Sequence, residues 1–485
     1  MIKRLVAAAV SMAFAFMVFP APPRFEGKKS DYHGYARYDF RLEGRDAVVI
    51  VPDDPLPGNP WMWRPAFFGA FPSIDDALLD AGFIIAYYDN TFEWARPEAM
   101  ESGQKFYRLM VENHGLDPKP VMNGISRGGY YSLRRAQLYP ETVSCLVLDN
   151  PLVDIFELRR DEEWWRDVKE KWEPSGRNPE RGSFEENAAY NLDIPAMRHI
   201  PVLLLSGGLD TIVPYEKNGK LIVDTYRRYG APVKSLVRPE AGHHPHGLDK
   251  AERVVPFIKK AACKEPLHTG KLKVACIGNS ITEGVGTSDP STKAYPAVLQ
   301  KLLGKEFEVR NFGVSCSTAL RKGTDSGQPF SWLATARCRE ALDYQPDIVV
   351  IKLGGNDSKP DNWKYSDEFE QDYQEIIDSF KYLPTLPEIY VCLPAKARVD
   401  DPLQIWGIDE KVIAEEITPR ILKIAFANRL PVIDLHDAYA GEENRCYSDN
   451  IHPTDRGAEL IARKIFSKIR ECSVFQHPFR INISE

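Results

Sequence analysis

Two serines of this 485-residue chain stand in short glycine-containing motifs that suit a nucleophile. Ser126 lies in Gly-Ile-Ser-Arg-Gly (residues 124–128), and Ser280 lies in Gly-Asn-Ser-Ile (residues 278–281). A serine hydroxyl becomes a useful nucleophile only when it is exposed and paired with a base. The pattern Gly-x-Ser-x-Gly supplies the exposure, because it predicts a sharp turn from a strand into a helix. The pattern also arises by chance about 0.1 times in a chain of this composition, so the partners of each serine must decide.

An acid and a histidine follow Ser126 in the first half of the chain. Asp210 lies in Leu-Asp-Thr-Ile-Val-Pro after a predicted strand, and His243 lies in Gly-His-His-Pro-His (residues 242–246). Serine, acid, histidine is the chain order of the α/β-hydrolase fold. Residues 40–262 resemble that family in these three turns. The resemblance implies that Ser126 is the nucleophile, His243 the base and Asp210 the acid that orients the base.

Two questions about this first set stay open in the sequence. His244 and His246 are rival bases, although family members usually carry the base directly after the glycine. The backbone N–H of Arg127 is expected to give one donor to the oxyanion, and a second donor is expected near residues 59–63. The Arg127 side chain could bind an anionic sugar or be a solvated or paired residue at the start of the helix.

The second half contains four motifs in a recognisable order. Ser280 lies in Ile-Gly-Asn-Ser, and Gly313 lies in Asn-Phe-Gly-Val. Asn356 lies in Leu-Gly-Gly-Asn-Asp, and Asp449 and His452 both lie in Asp-Asn-Ile-His-Pro. On these blocks, residues 271–470 resemble the SGNH hydrolase family, also called GDSL hydrolases.

That resemblance implies a role for each residue of the four blocks. Ser280 is the expected nucleophile, and Asp449, three residues before His452, can hold the imidazole that activates it. The N–H groups of Ser280 and Gly313 and the amide of Asn356 are the expected oxyanion donors. The chain departs from the family name at residue 279, where Asn replaces Asp, but this position is not among the reacting groups. Asp357 is expected to be a local hydrogen-bond acceptor.

Apolar runs that read as buried strands alternate with segments of helical period in both halves, which predicts parallel sheets covered by helices. The predicted strands are 46–51, 83–88, 118–122, 145–148 and 202–206 in the first half, and 272–277, 307–312, 347–353, 388–393 and 431–435 in the second. The expected fold class is α/β, with an α/β-hydrolase fold followed by a flavodoxin-like three-layer α/β/α SGNH domain.

The organisation of the chain follows from these elements and from its composition. The predicted units are a signal peptide (1–22), an α/β-hydrolase domain (30–263), a linker (264–270), an SGNH domain (271–472) and a tail (473–485). The tryptophan-rich segment 158–199 of the first domain is either a lid over the site or a surface helical segment anchored by its tryptophans. The signal peptide rests on the basic start Met-Ile-Lys-Arg and the short apolar run 5–19, which is too short to span a membrane.

Composition excludes some classes of protein. The chain has 43% apolar and 27% charged residues and a net charge of −7, with no basic groove for nucleic acid. Neither set of residues requires a cofactor, and the eight cysteines lack the close pairs that hold zinc. Export would permit disulfides, but the spacing assigns none. We therefore expect an exported protein, periplasmic or extracellular, with no stable insertion in a membrane.

Two nucleophiles on one exported chain predict an esterase that removes two ester decorations from one polysaccharide or oligosaccharide. Fold alone does not fix this substrate. Candidate sugar-stacking residues are Trp61, Trp164 and Trp165. Acetyl esters are expected for the SGNH half, and acetyl, methyl or aromatic acyl esters for the first half. The alternatives are a lipid esterase, lysophospholipase or thioesterase, and an SGNH acetylesterase whose first domain only binds.

Overall fold

The computed structural model describes residues 23–177, 179, 185–398 and 406–473. The predicted signal peptide and all but Ser473 of the predicted tail lie outside the described residues, as does part of the predicted lid. Two large sheets organise the described part of the chain, and a short hairpin forms a third.

The first sheet has nine strands in the order β1-β2-β3-β5-β4-β6-β7-β8-β9. The strands β1 to β3 and β5 pair antiparallel, and every pairing from β4 and β5 onward is parallel. Their bounds are β1 Lys28–Tyr32, β2 Tyr35–Leu42, β3 Arg45–Val51, β4 Trp61–Arg64, β5 Ile84–Tyr88, β6 Val121–Ile125, β7 Cys145–Asp149, β8 Val202–Gly207 and β9 Val233–Arg238. The helices of this half are α1 Ser73–Asp80, α2 Pro97–Arg108, α3 Arg127–Leu138, α4 Glu162–Trp172, α5 Gly219–Tyr229 and α6 Val255–Ala262.

The second sheet has five parallel strands in the order β11-β10-β14-β15-β16, which is the flavodoxin-like order 2-1-3-4-5 within this half. The strands are β10 Leu272–Gly278, β11 Phe307–Gly313, the hairpin strands β12 Thr324–Asp325 and β13 Gln328–Pro329, β14 Ile348–Lys352, β15 Glu388–Cys392 and β16 Val432–Ile433. The helices are α7 Ser280–Glu283, α8 Pro290–Lys293, α9 Tyr295–Leu303, α10 Ala336–Asp343, α11 Pro360–Trp363, α12 Phe369–Lys381, α13 Glu410–Val412, α14 Thr418–Ala427, α15 Glu443–Cys446 and α16 Asp455–Cys472. The predicted fold class is confirmed in both halves.

The central strands of each large sheet are buried on both faces, which is why they are continuous apolar runs. In β7, Leu146 and Leu148 face one core, while Cys145 and Val147 face the other. In β10, Ala275 and Ile277 face one core, and Val274 and Cys276 face the other. Both halves are therefore three-layer sandwiches. Parallel strands bring their carboxyl ends to one edge, and both candidate serines follow directly after such an end.

The two halves contact each other directly. Arg429 of the second half donates to Ser206 Oγ (2.7 Å) and to the carbonyl of Gly207 (3.1 Å) at the end of β8. Its guanidinium carbon lies 3.8 Å from the centre of the Tyr215 ring. Lys381 donates to the carbonyl of Val237. The predicted linker falls in the connection between α6 and β10, beside this interface. Within the part of the chain that the structure describes, no helix combines the length and hydropathy that a membrane crossing requires.

Replacing Arg429 with alanine should destabilise the docked halves by about 1–3 kcal/mol, because it leaves buried acceptors at the end of β8 unpaired. Thermal unfolding monitored by calorimetry measures this change. Lys423 is the matched control, since its ion pair with Glu370 (2.6 Å) is exposed and contributes under about 1 kcal/mol. Equal melting shifts for Arg429→Ala and Lys423→Ala would contradict a role for Arg429 in docking.

Candidate active sites

Ser126 occupies a strained turn between β6 and α3. Its backbone has φ 50° and ψ −119°, a combination that a non-glycine residue rarely adopts. Two glycines allow this turn: a Cβ on Gly124 of the motif would lie 2.6 Å from the Cα of Gly129, and a Cβ on Gly129, which follows the motif, would lie 2.4 Å from the Cβ of Pro151. These glycines therefore permit close packing that presents the serine at the end of β6.

The structure brings His243 and Asp210 to Ser126. His243 Nε2 lies 3.0 Å from Ser126 Oγ, and His243 Nδ1 lies 2.8 Å from Asp210 Oδ2. The other carboxylate oxygen of Asp210 accepts from the N–H groups of Ile212 (2.9 Å) and Val213 (2.8 Å). With Asp210 accepting from Nδ1, the tautomer leaves Nε2 free to accept the serine proton.

The two rival histidines lie beside this arrangement without replacing it. The ring centres of His244 and His246 are each 4.9 Å from that of His243. His244 is exposed and stacks on Phe71, while His246 is buried with Nδ1 3.4 Å from Asp149 Oδ1. Each of the three imidazoles has a potential metal-ligand atom, and among the described residues these atoms lie within 4.8 Å of one another. His243 is already held between Ser126 and Asp210, so we interpret the cluster as part of the hydrolytic site.

The neighbourhood of the first oxyanion position differs from the expectation in one respect. Arg127 begins α3, so its N–H is at the start of a helix, as expected. Residues 61–64, in contrast, are the buried strand β4, so most of the predicted donor segment 59–63 is strand or leads into it. The loop after β4 is the segment that reaches α3, since a Cβ on Gly128 would lie 3.1 Å from the Cβ of Ala66. We therefore expect the second oxyanion donor in the loop that follows Arg64.

The three candidate tryptophans have different environments. Trp61 is 1% exposed, stacks on Trp63 at 6.0 Å and donates to the carbonyl of Asp117 (2.7 Å), so its prediction as a sugar-binding residue is wrong. Trp165 is 8% exposed and packs into the core beside Phe156, which leaves it little surface for a sugar. Trp164 is half-buried, and its ring lies 5.5 Å from the guanidinium carbon of Arg127. Helix α4 thus reaches the residue next to Ser126.

The second site is assembled at the carboxyl ends of β10 and β14. His452 Nε2 lies 2.9 Å from Ser280 Oγ, and His452 Nδ1 lies 2.8 Å from Asp449 Oδ2. Asp449 Oδ1 accepts from the N–H groups of Ile451 (2.8 Å) and His452 (2.6 Å). Burial favours the neutral acid, but these hydrogen bonds outweigh it and hold the pKa of Asp449 below its usual range. The carboxylate stays ionised and can orient the imidazole.

The Asn356 side chain has an N–H group left for an oxyanion, whereas the N–H of Gly313 is already hydrogen-bonded. Asn356 is buried after β14, and its amide donates one hydrogen bond to the carbonyl of Ser317 (3.1 Å), which leaves the second N–H for an oxyanion. The N–H of Gly313 instead donates to Asn311 Oδ1 (2.9 Å), and a Cβ there would lie 2.3 Å from the nitrogen of Glu283. Gly313 is therefore needed for close packing of β11 on α7, and the oxyanion role predicted for it is not supported.

The loop after β11 packs against the side chain of Asn356. Cys316 in this loop has φ 66°, a left-handed conformation, and the next carbonyl receives the Asn356 amide. Asp357 fixes the end of the loop by accepting from the N–H groups of Ala319 (3.2 Å) and Leu320 (2.8 Å). Burial raises the pKa of Asp357 to about 6. Its predicted role as a local acceptor matches these contacts. The positive φ of Cys316 gave no sequence signal, because glycine is the residue that usually reveals it.

Sequence reasoning also missed Trp406, which lies against the second site. Its ring centre is 5.5 Å from that of His452, edge to face, and its Nε1 donates to Asp449 Oδ2 (3.3 Å). The indole is 46% exposed, so it forms part of the wall that an incoming substrate meets. No spacing pattern connects it to Asp449, 43 residues away in the chain, and no signal could have found it.

The fold and these two constellations define a class: an α/β-hydrolase-type domain followed by a GDSL-like domain, each with a serine, a histidine and an acid in contact. Comparison with known families agrees. Residues 104–264 match the prolyl oligopeptidase family, and residues 276–460 match the GDSL-like lipase/acylhydrolase family. The chain is an ester-hydrolysing serine hydrolase.

The chain is also similar to individual proteins. It is 29% identical over 409 residues to an acetylxylan esterase of Xylanibacter ruminicola, covering 76% of this chain and 79% of the relative. It is 24% identical to the uncharacterized protein YpmR of Bacillus subtilis, covering 43% of this chain and 87% of that protein. Among solved structures, the aryl esterase of M. smegmatis matches with 19% identity and a TM-score of 0.32, covering 41% of this chain and 99% of that chain.

Proposed function

We propose that this protein is an exported esterase that uses two independent sites to remove ester decorations from polysaccharides. The observation that carries the proposal is that both serine–histidine–acid triads are assembled. Each serine oxygen lies within 3.0 Å of a histidine Nε2, and each of those histidines has its Nδ1 2.8 Å from a carboxylate. Two nucleophiles suit a polymer that carries two kinds of ester.

Both sites support the same sequence of steps. The serine Oγ attacks the ester carbonyl while the histidine Nε2 takes its proton, and the carboxylate stabilises the imidazolium that forms. The tetrahedral oxyanion collapses, the imidazolium protonates the leaving alcohol, and an acyl-serine remains. Water then repeats the sequence and releases the acid. Ser126, His243 and Asp210 fill these roles in the first site, with the Arg127 N–H as an oxyanion donor. Ser280, His452, Asp449 and the Asn356 amide do so in the second.

The likeness to an acetylxylan esterase supports an acetylated polysaccharide or oligosaccharide as the substrate. That likeness spans 76% of the chain, which is more than either half alone, so it extends over both domains. We assign acetyl release to the GDSL-like domain, and release of acetyl, methyl or aromatic acyl groups to the first domain. The basic start and the apolar run in residues 1–22 support export to the periplasm or the extracellular space.

The test is to identify which product each serine releases. Wild type, Ser126→Ala and Ser280→Ala proteins are incubated with acetylated, methyl-esterified plant xylan, and released acetate, methanol and aromatic acids are quantified. The proposal expects acetate to fall with Ser280→Ala and a second product, or a second pool of acetate, to fall with Ser126→Ala. Labelling with a fluorophosphonate shows in parallel which serines are reactive.

The outcomes separate the alternatives. If the protein hydrolyses a short-chain model ester but releases no product from xylan, the substrate is not a polysaccharide of this kind. That result would favour a lipid ester or a thioester. Labelling at Ser280 alone would show that the first domain only binds.

A further inference from the structure

The side chain of Arg127, next to the nucleophile of the first site, lies among four aromatic rings. Its guanidinium carbon is 4.8 Å from the ring centres of both Phe92 and Trp94, 5.5 Å from Trp164 and 5.8 Å from Phe67. These rings come from three separate segments: the loop after β4, the loop after β5, and α4. We call Arg127 and the four rings the arginine box. Cation–π contacts of this kind hold a guanidinium in place but leave its in-plane N–H groups available.

The charge of the arginine box has no counter-ion in contact. Among the described residues, no carboxylate lies within 4.0 Å of the Arg127 guanidinium, and its interactions are those with the rings. The carboxylate that acts on it from a distance is Asp167, which already accepts from Trp94 Nε1 (2.5 Å). Burial lowers the pKa of Arg127, partly offset by Asp167, yet a guanidinium remains charged in proteins. A half-buried cation with unfilled donors is a site for an anion.

The box is also open to an incoming molecule. Phe92 is 58% exposed, Trp164 is half-buried, and Arg127 itself is half-buried. Because Arg127 follows Ser126 directly, the two Cα atoms are about 3.8 Å apart, and the arginine box is built on the residue next to the nucleophile. The alternative is that Arg127 only stabilises the packing of α4 on the rest of the domain, and the experiment below separates the two roles.

We propose that the arginine box binds a carboxylate of the substrate, so that the Ser126 site acts on esters that have a free carboxylate close to the bond that is cut. This inference rests on the proposed ester hydrolysis at Ser126 and names its substrate class. On a polysaccharide, the corresponding substrate is an acyl ester on or beside an acidic sugar. The guanidinium presents paired N–H groups that match a carboxylate, which lysine cannot reproduce. Arg127 is thus a specificity-determining residue.

The test compares acetate release from two aryl acetates of similar size: 4-acetoxybenzoate, which carries a carboxylate, and 4-acetoxybenzamide, which is uncharged. All proteins carry Ser280→Ala, so that only the first site reacts. The measured quantity is the ratio of kcat/KM for the charged ester to that for the uncharged one. Arg127→Gln should lower this ratio by about 10- to 100-fold, and Arg127→Lys should retain part of it. The ratio cancels any effect of the substitution on folding or on the nucleophile.

Arg159 provides the matched control. Its guanidinium also stacks on aromatic rings, 4.1 Å from Phe156 and 5.0 Å from Trp165, and neither of these rings belongs to the arginine box. Arg159→Gln should leave the ratio unchanged. If Arg127→Gln leaves the ratio unchanged, or lowers kcat/KM equally for both esters, the proposal is overturned. Arg127 would then only stabilise the packing of α4. Absence of fluorophosphonate labelling at Ser126 would overturn the proposed function of this site and the inference with it.

Discussion

Replacing His452 with alanine should reduce ester hydrolysis at the second site by about 10⁴- to 10⁶-fold. The imidazole Nε2, 2.9 Å from Ser280 Oγ, is the group placed to take the serine proton, and the structure puts Asp449 on its other nitrogen. Without it, the hydroxyl keeps its proton and only substrate binding and the oxyanion donors contribute. Initial rates with an aryl acetate, measured in a Ser126→Ala background, report this site alone.

His436 is the control for this change, because it is a histidine of the same domain outside the site. Its Nε2 contacts Glu410 Oε1 at 2.6 Å, and His436→Ala should change the rate by no more than a few-fold. Asp449→Asn should lie between the two, near 10⁴-fold in order of magnitude, since the imidazole loses its orienting charge but remains present. A loss below tenfold in His452→Ala would mean that another group accepts the proton.

The sequence predicted the residues that the structure brings together around Ser280, except Trp406 and the partner of Gly313, and the reason is local spacing. Asp449 and His452 are three residues apart, so a single loop fixes their geometry, and Ser280 and Asn356 each follow a buried strand whose end lies at the same edge of the sheet. The apolar runs predicted the five strands, and the resemblance to SGNH hydrolases implied their flavodoxin-like order. What spacing could not supply was the partner of the Gly313 N–H, which depends on the side chain of Asn311.

The parts of the fold that escaped prediction are those whose sequences lack an apolar signal or whose contacts are distant in the chain. Strand β1, Lys28–Tyr32, is mostly exposed and charged, so nothing marked it as a strand. Trp61 offered the opposite problem, because an indole near a candidate site reads equally well as a sugar platform and as a core residue. Only the register of β4 between β5 and β6 decided for the core.

The arginine box shows why specificity is harder to predict than chemistry. The residues that react sit next to glycines and at strand ends, where the backbone constrains the sequence. The residues that would choose the substrate, from Phe67 to Trp164, come from loops and a helix nearly 100 residues apart. Their meeting around Arg127 depends on where α4 packs, which no local pattern encodes.

Replacing His243 with alanine should reduce hydrolysis at the first site by about 10⁴- to 10⁶-fold, whereas His244→Ala should have a much smaller effect. His243 is the histidine in contact with both Ser126 Oγ (3.0 Å) and Asp210 (2.8 Å). His244 is exposed and stacks on Phe71, so its loss removes a surface contact. Rates of aryl ester hydrolysis in a Ser280→Ala background isolate the first site, and fluorophosphonate labelling of Ser126 gives a second readout.

His246→Ala tests whether the neighbouring imidazoles contribute through position. His246 is buried with Nδ1 3.4 Å from Asp149, whose carboxylate accepts from Arg238 (2.6 Å) and from the N–H of Gly247 (2.6 Å) in the histidine loop. Removing it should loosen this loop and lower the rate by about 10- to 100-fold, because a base displaced by 1 Å is less effective. A loss in His244→Ala or His246→Ala as large as that in His243→Ala, with the protein still folded, would move the general base to that residue.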